Sequence, residues 1–216
     1  MTVGILVFPG TNCEFDVAEA YAEIGVATRL IGHGEPDLGE LEAVVLPGGF
    51  AYGDYLRPGA IARFAPVMRS LVAFAEAGGP VLGICNGFQV LTEAHLLPGA
   101  LQKNAGLSFI CATAPVEVVG TRNVLTREFA PGDRFDLPIN HFEGNFTADG
   151  ETLKRLEGEG RIVLRYTDNP NGSALDIAGI ANERGNVVGL MPHPERAGMG
   201  YGLTVPARML LESLVA

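Results

Sequence analysis

Residues 80–89 read Pro-Val-Leu-Gly-Ile-Cys-Asn-Gly-Phe-Gln, and the fold turns on them. Val81–Cys85 is a short unbroken apolar run, the pattern of a strand covered on both faces of a sheet. Phe88–Leu97 follows with Gln89, Thr92, Glu93 and His95 at helix-compatible spacing. If a strand ends where a helix begins at once, one residue, Cys85, must make a sharp turn. Gly83 and Gly87 flank it at two residues on either side, and small neighbours let such a turn close with its side chain exposed. This is the nucleophile-elbow pattern of hydrolases with cysteine in place of serine. Two plainer readings compete: a core cysteine at a strand end, and an Asn86-Gly87 hairpin that would make 88–97 a strand. The spacing of the polar residues disfavours the hairpin.

Working outward, Val3–Phe8, Val26–Ile31 and Ala43–Leu46 read as further apolar strands. Phe15–Ile24 reads as a helix with Phe15, Ala18 and Tyr21 or Ala22 along one face, stopping at Gly25. Arg63–Ala77 reads as an amphipathic helix with Pro66 in its first turn, closed by Gly78-Gly79. Apolar strands alternating with helices imply parallel pairing and a doubly wound α/β sheet. The second half changes character. Ser108–Ala112, Pro115–Val119, Arg134–Leu137 and Gly144–Thr147 are short alternating segments, and Ala174–Ala181 with Asn186–Met191 form a hairpin around Arg184-Gly185. These predict an antiparallel extension, with Thr204–Val215 as a closing helix. No linker or internal repeat interrupts the chain, so residues 1–216 read as one domain, with ligands expected at the carboxyl ends of its parallel strands.

The composition fits such a core and narrows its partners. Hydrophobic residues make up 47% and charged residues 19%, which excludes intrinsic disorder. Lys and Arg number 15 against 25 Asp and Glu, a net charge of −10, and this argues against nucleic acid or an anionic membrane as partner. Cys13, Cys85 and Cys111 are odd in number and lack C-x-x-C spacing, so a disulfide scaffold and a thiolate zinc site are not expected and a reducing cytoplasm is. The N-terminal stretch lacks the basic region of a signal peptide, and no apolar run approaches the roughly 18 residues of a membrane span.

A nucleophilic cysteine needs a base and a group to orient it. Of four histidines, His33 in a Gly-rich loop and His95 on the helix are weak candidates. His141 and His193 each have a carboxylate two residues on, Glu143 and Glu195, and in an extended segment i and i+2 share a face. The second pair is stiffer, because Pro192 and Pro194 fix their own φ and push the preceding residues toward extended conformations. Met191-Pro-His-Pro-Glu195 therefore reads as an extended rod after a buried strand; the plain alternative is a rigid loop with a surface histidine. Pro47-Gly48-Gly49 ends another strand with unobstructed amides, as one half of an oxyanion hole would require, and the Asn86 amide at the helix start supplies the other. No Walker loop, dinucleotide fingerprint or metal-ligand spacing is present in the sequence.

Taken in order, Pro47-Gly-Gly49, Gly83-Ile-Cys85-Asn-Gly87-Phe-Gln89 and Pro192-His193-Pro-Glu195 resemble the class I glutamine amidotransferase family. Val7–Cys13, Gly48–Tyr55, Phe109–Cys111, Pro138–His141 and Asn169–Ser173 further resemble its small glutaminase subunits of de novo purine synthesis. The resemblance runs from residue 3 to about residue 196. It implies a flavodoxin-like, mostly parallel sheet flanked by helices with an antiparallel extension. It also implies that Cys85 attacks the glutamine amide, with His193 as proton carrier and Glu195 holding His193. Amides around Gly48, Gly49 and Asn86 would bind the oxyanion, and Gln89 would lie against bound glutamine. Ammonia would pass to an ATP-dependent synthetase subunit, bridged by a third small subunit, which converts formylglycinamide ribonucleotide to its amidine. ATP and Mg are then expected on that partner, with no cofactor and no metal on this chain.

The chain departs from the family at Phe142, where a small residue is usual, which leaves His141 without an assigned role. The stretch Gly198-Met-Gly-Tyr-Gly202 carries no assignment, and Cys13 and Cys111 read as structural. Other amidotransferase pathways share the triad motifs but lack the Gly-Asp-Tyr55 and Asn-Pro-Asn-Gly-Ser173 segments. A flavodoxin-like thiol sensor or chaperone would need an oxidisable Cys85 and neither His193 nor Glu195. An inactive assembly subunit would have no need of the intact Cys, His and Glu.

Overall fold

A computed structural model of the chain describes residues 1–198 and 200–216. Met199, inside the unassigned Gly-rich stretch, lies outside the described residues. Among the described residues nine strands form one mixed sheet. The parallel half comprises β1 (Thr2–Val7), β2 (Ala27–Gly32), β3 (Ala43–Leu46), β4 (Val81–Ile84) and β11 (Val187–Leu190), in the spatial order β2-β1-β3-β4-β11. The antiparallel half continues through β10 (Ile177–Ala181), β9 (Ile162–Tyr166), β6 (Ile110–Val118) and β7 (Arg134–His141). A small separate ribbon pairs β5 (Ala100–Gln102) with β8 (Asn145–Thr147). The expected α/β architecture and its antiparallel extension are both present.

Every residue of β3, β4 and β11 is buried, which explains why these segments are apolar without alternation. The edge strand β2 is largely exposed. Helix α1 (Glu14–Glu23) buries Val17, Ala20 and Tyr21, so its inner face is rotated from the expected one and Phe15 is exposed. It ends as expected at Gly25, whose φ of +75° allows the chain to reverse.

Proline moves a boundary that periodicity alone misplaced. The expected helix over Arg63–Ala77 is broken: Ala65 sits at ψ 144°, the extended conformation that a following proline enforces. A short 3-10 turn, Ala62–Phe64, precedes the break, and α2 proper spans Val67–Glu76. Helix α3 starts at Asn86 and stops at Glu93, earlier than expected, so His95 lies beyond it in a left-handed turn at φ 59°.

In the second half the expected pieces at 108–112 and 115–119 merge into the continuous β6, and β7 extends through Pro138 to His141. Residues 174–176 form a 3-10 turn with Leu175 at φ 52°, so the expected hairpin arm begins only at Ile177. Helix α4 (Gly150–Gly158) and strand β9 were not anticipated. Asp149 caps α4 by accepting from the amides of Glu151 and Thr152 at 2.9 and 2.8 Å. Helix α5 (Val205–Val215) closes the fold.

Candidate active site

Strands β3, β4 and β11 lie side by side and run parallel, with Leu46 level with Gly83 and Ile84 level with Leu190. Their carboxyl ends therefore deliver three segments to one place: Gly48-Gly49, Cys85 and His193. The Cys85 amide donates to Leu190 O at 2.7 Å, tying the elbow directly to β11.

Cys85 occupies φ 51°, ψ −104°, a backbone state that costs a non-glycine residue about 1–3 kcal/mol. Its surroundings enforce the turn. A side chain at Gly87 would run into the Leu46 carbonyl, and a Cβ at Gly83 would lie 2.6 Å from Leu91 Cδ1 and 2.7 Å from the Gly87 backbone. The elbow reading therefore holds, and Asn86-Gly87 opens a helix instead of a hairpin. As the first residue of α3, Asn86 has a backbone N–H without an intrahelical acceptor. Its side chain accepts from the Ala51 amide at 2.9 Å and donates to Gln89 Oε1 at 2.8 Å. Gln89 in turn donates to Glu143 O at 2.6 Å.

His193 Nδ1 and Glu195 Oε1 are 2.7 Å apart, with both side chains essentially buried. The route to this pairing differs from the expected extended rod. Pro194–Arg196 form a 3-10 turn with Pro194 at its first position, and the turn swings Glu195 under the ring. The His193 amide donates to Pro138 O at 2.8 Å, fastening the loop to β7. Burial alone would lower the His193 pKa, but the Glu195 carboxylate and the Cys85 sulfur outweigh it and carry it up to about 10. His193 Nε2 has no hydrogen-bond partner among the described residues, and the Cys85 thiol donates to Asn140 O at 3.7 Å.

The companion pair does not form. His141 Nδ1 lies 3.1 Å from Asn104 Oδ1, while Glu143 contributes its carbonyl to Gln89. Gly144 packs flat against the His141 ring and leaves no room for a side chain there. The other two histidines stand apart from the nucleophile; His33 Nδ1 is 2.8 Å from the Tyr52 hydroxyl.

Cys85, His193, Gly49, Gln89, Asp54, Glu143 and Arg196 are among the residues lining a cleft of about 170 Å³. A larger groove of about 480 Å³, bordered by Glu76, His95, Arg155 and Glu183, contains no cysteine and lacks the strand ends that assemble a nucleophile. Gly48 packs beneath the cleft: a Cβ there would sit 2.7 Å from His193 Cε1, 3.1 Å from Cys13 Sγ and 3.6 Å from Cys85 Cβ. Gly49, at φ 148°, presses on the backbone of Gly10, Thr11 and Asn12. Phe142 forms part of the wall, with the Lys103 ammonium 5.9 Å above its ring.

Sequence reasoning missed three participants. Asp54 enters the cleft from a left-handed loop, and burial together with the charge of Glu143 pushes its pKa up to about 6. Asn104, fully buried, holds His141. Cys13 comes within 4.8 Å of His193 and Glu195, a grouping with the chemistry of a metal site that spacing could not reveal because its members are some 180 residues apart. The His193–Glu195 hydrogen bond already engages two of those three groups. Burial, then the Glu195 charge, raises the Cys13 thiol to about 12, which leaves it protonated.

A cysteine on an elbow beside a buried His–Glu pair, at the carboxyl edge of a parallel sheet, is the equipment of a thiol acyl-transfer enzyme. The model of the CobB/CobQ-like glutamine amidotransferase domain matches residues 1–209, and the chain belongs to that family. A relative from Rubrobacter xylanophilus, 58% identical over 95% of this chain and 96% of its own, is the phosphoribosylformylglycinamidine synthase subunit PurQ. A Synechococcus elongatus protein of the same name is 57% identical over 100% of this chain and 98% of its own. Among solved structures, a chain of PurLQS from Thermotoga maritima superposes with a TM-score of 0.90 at 37% identity, covering 99% of this chain and 97% of its own.

Proposed function

We propose that this chain is the glutaminase subunit of phosphoribosylformylglycinamidine synthase, and that Cys85, His193 and Glu195 are its catalytic residues. The observation that carries the assignment of roles is the strained Cys85 elbow set beside the buried His193–Glu195 pair. Glu195 accepts from the Nδ1–H of His193 and so fixes the ring, which leaves Nε2 as the proton carrier. Cys85 sulfur attacks the side-chain carbonyl of glutamine. The amides of Gly49 and Asn86, with Gly48 shaping the turn, receive the oxyanion. The carbon–nitrogen bond breaks, His193 gives its proton to the departing ammonia, and water hydrolyses the glutamyl thioester to glutamate. Gln89, anchored at both ends, forms the wall against which the glutamine lies.

The ammonia passes to a synthetase subunit, which uses ATP and Mg to convert formylglycinamide ribonucleotide to its amidine. A third, small subunit bridges the two. Sequestered transfer suits the chemistry, because ammonia released into neutral water becomes ammonium and loses its nucleophilicity. On this reading this chain itself holds no cofactor, and nucleic acid and membrane are not among its partners. No described helix is long and apolar enough to cross a membrane. We place the protein in the cytoplasm, where reducing conditions keep Cys85 a thiol. Peptide mapping after treatment with a diazoketone analogue of glutamine tests the assignment. Labelling confined to Cys85 and blocked by excess glutamine is the expected result; labelling elsewhere, or none in the presence of the partner subunits, would remove it.

A further inference from the structure

His141 is a buried titratable group that the mechanism above does not use, and its hydrogen bonds define its chemical state. Asn104 fixes the orientation of its own amide. Its Nδ2 donates to Ser108 O at 2.9 Å and to His141 O at 3.0 Å, and its Oδ1 accepts from the Gly144 amide at 3.0 Å. The atom facing His141 Nδ1 at 3.1 Å is therefore the carbonyl oxygen, and Nδ1 must be the protonated nitrogen. Nε2 is left as a bare acceptor. Burial, reinforced by the charge of nearby His193, lowers the His141 pKa to about 4, so the ring is neutral at physiological pH.

That buried acceptor has no partner among the described residues, and His141, 3% exposed, lines the same cleft as Cys85. A buried acceptor left bare is unfavourable, and a native site tolerates it where a ligand completes the bond. His141 is held in the same strand as two atoms that touch the catalytic pair: Pro138 O receives the His193 amide, and Asn140 O receives the Cys85 thiol. A ligand N–H is what the ring can bind. Within the proposed substrate, the carboxamide NH2 is the donor that lies at the sulfur when its carbonyl carbon is attacked.

Building on the glutaminase reading, the geometry points to His141 Nε2 as the acceptor that holds an N–H of the scissile carboxamide and then of the ammonia it becomes. As sulfur bonds to carbon and the carbon–nitrogen pair moves onto nitrogen, that nitrogen takes the proton carried by His193 Nε2. The hydrogen already directed at His141 stays where it is. Because the ring offers a lone pair and no proton, it aims the nitrogen at His193 without converting ammonia to ammonium.

The test compares two substrates in the reconstituted complex: glutamine, and glutamate γ-methyl ester, whose leaving oxygen has no hydrogen to give. In His141→Phe, glutamine turnover should fall about tenfold to a hundredfold while ester turnover holds or rises. His141→Gln, which can present a carbonyl at the same point, should recover most of the glutamine rate. If His141→Phe does not fold, His141→Asn withdraws the acceptor while keeping a polar group beside Asn104, and the same ratio is read there. Equal loss with both substrates would make His141 purely structural and overturn the inference, as would no loss with either. A wild-type complex inert toward both substrates would remove the glutaminase reading and this inference with it.

Discussion

Gly48→Ala is the smallest change that tests whether packing beneath the cleft sets the triad. The added carbon would stand 2.7 Å from His193 Cε1 and 3.1 Å from Cys13 Sγ, against an ordinary contact of about 3.5–4.0 Å. Something must move by close to 1 Å. Cys85 Cβ, at 3.6 Å, need not. His193 is held at its ring Nδ1 by Glu195 at 2.7 Å and at its backbone amide by the Pro138 carbonyl at 2.8 Å, so the shift strains those bonds or tilts the ring away from the sulfur. A misplacement of about 1 Å costs roughly a hundredfold in rate, and overpacking a dense core costs about 1–3 kcal/mol. For a domain of this size each kcal/mol lowers Tm by about 2–4 °C. Glutamine-dependent synthesis by the complex should thus fall about a hundredfold, with synthesis from added ammonium salt retained and a modest drop in Tm. Glutamine turnover within about threefold of wild type, with Tm unchanged, would show that Gly48 does not fix His193.

Three further outcomes are expected. Cys85→Ser should abolish glutamine-dependent synthesis and spare the ammonium-dependent reaction; loss of both would assign Cys85 a structural role. The His193 pKa is raised in the folded state to about 10, so its stabilising contribution is complete below about pH 6.5 and is lost as pH climbs through about 10. Glu195→Gln should flatten that alkaline decline in denaturant melts taken from pH 6 to 10 and cut glutamine turnover about a hundredfold or more. An unaltered alkaline slope would show that the pair is not the source. Phe88, fully buried and stacked on Phe146 at 6.1 Å, anchors α3 behind the elbow; Phe88→Ala should cost about 3–5 kcal/mol in chemical denaturation, and a loss under 1 kcal/mol would refute that role.

The reach of each physical constraint sets what could be read from the sequence. Steric limits on φ and ψ act over a few residues, so Gly83-Ile-Cys85-Asn-Gly87 announces its elbow without reference to the rest of the chain. Burial on both faces likewise writes itself into the apolar runs of β3, β4 and β11, and Gly25 marks the end of α1. Proline was legible too, though its effect at Pro66 outweighed the helical period and moved the start of α2 by four residues. Weakly patterned segments hid more: α4 and β9 carry no marker as sharp as the elbow.

The prolines already favoured the second of two His-x-Glu pairs in the sequence, and the tertiary structure shows how only that one closes. His141-Phe-Glu143 and His193-Pro-Glu195 have the same spacing, yet only the second closes, through a 3-10 turn started by Pro194, while the first is divided between Asn104 and Gln89. Strand order brings β11 beside β4 from more than a hundred residues away, and with it His193 to Cys85. Cys13, Asp54 and Asn104 join the site for the same reason. Local sterics determine where a side chain can be presented; the pairing of distant strands, driven by burial of the whole sheet, decides what it meets.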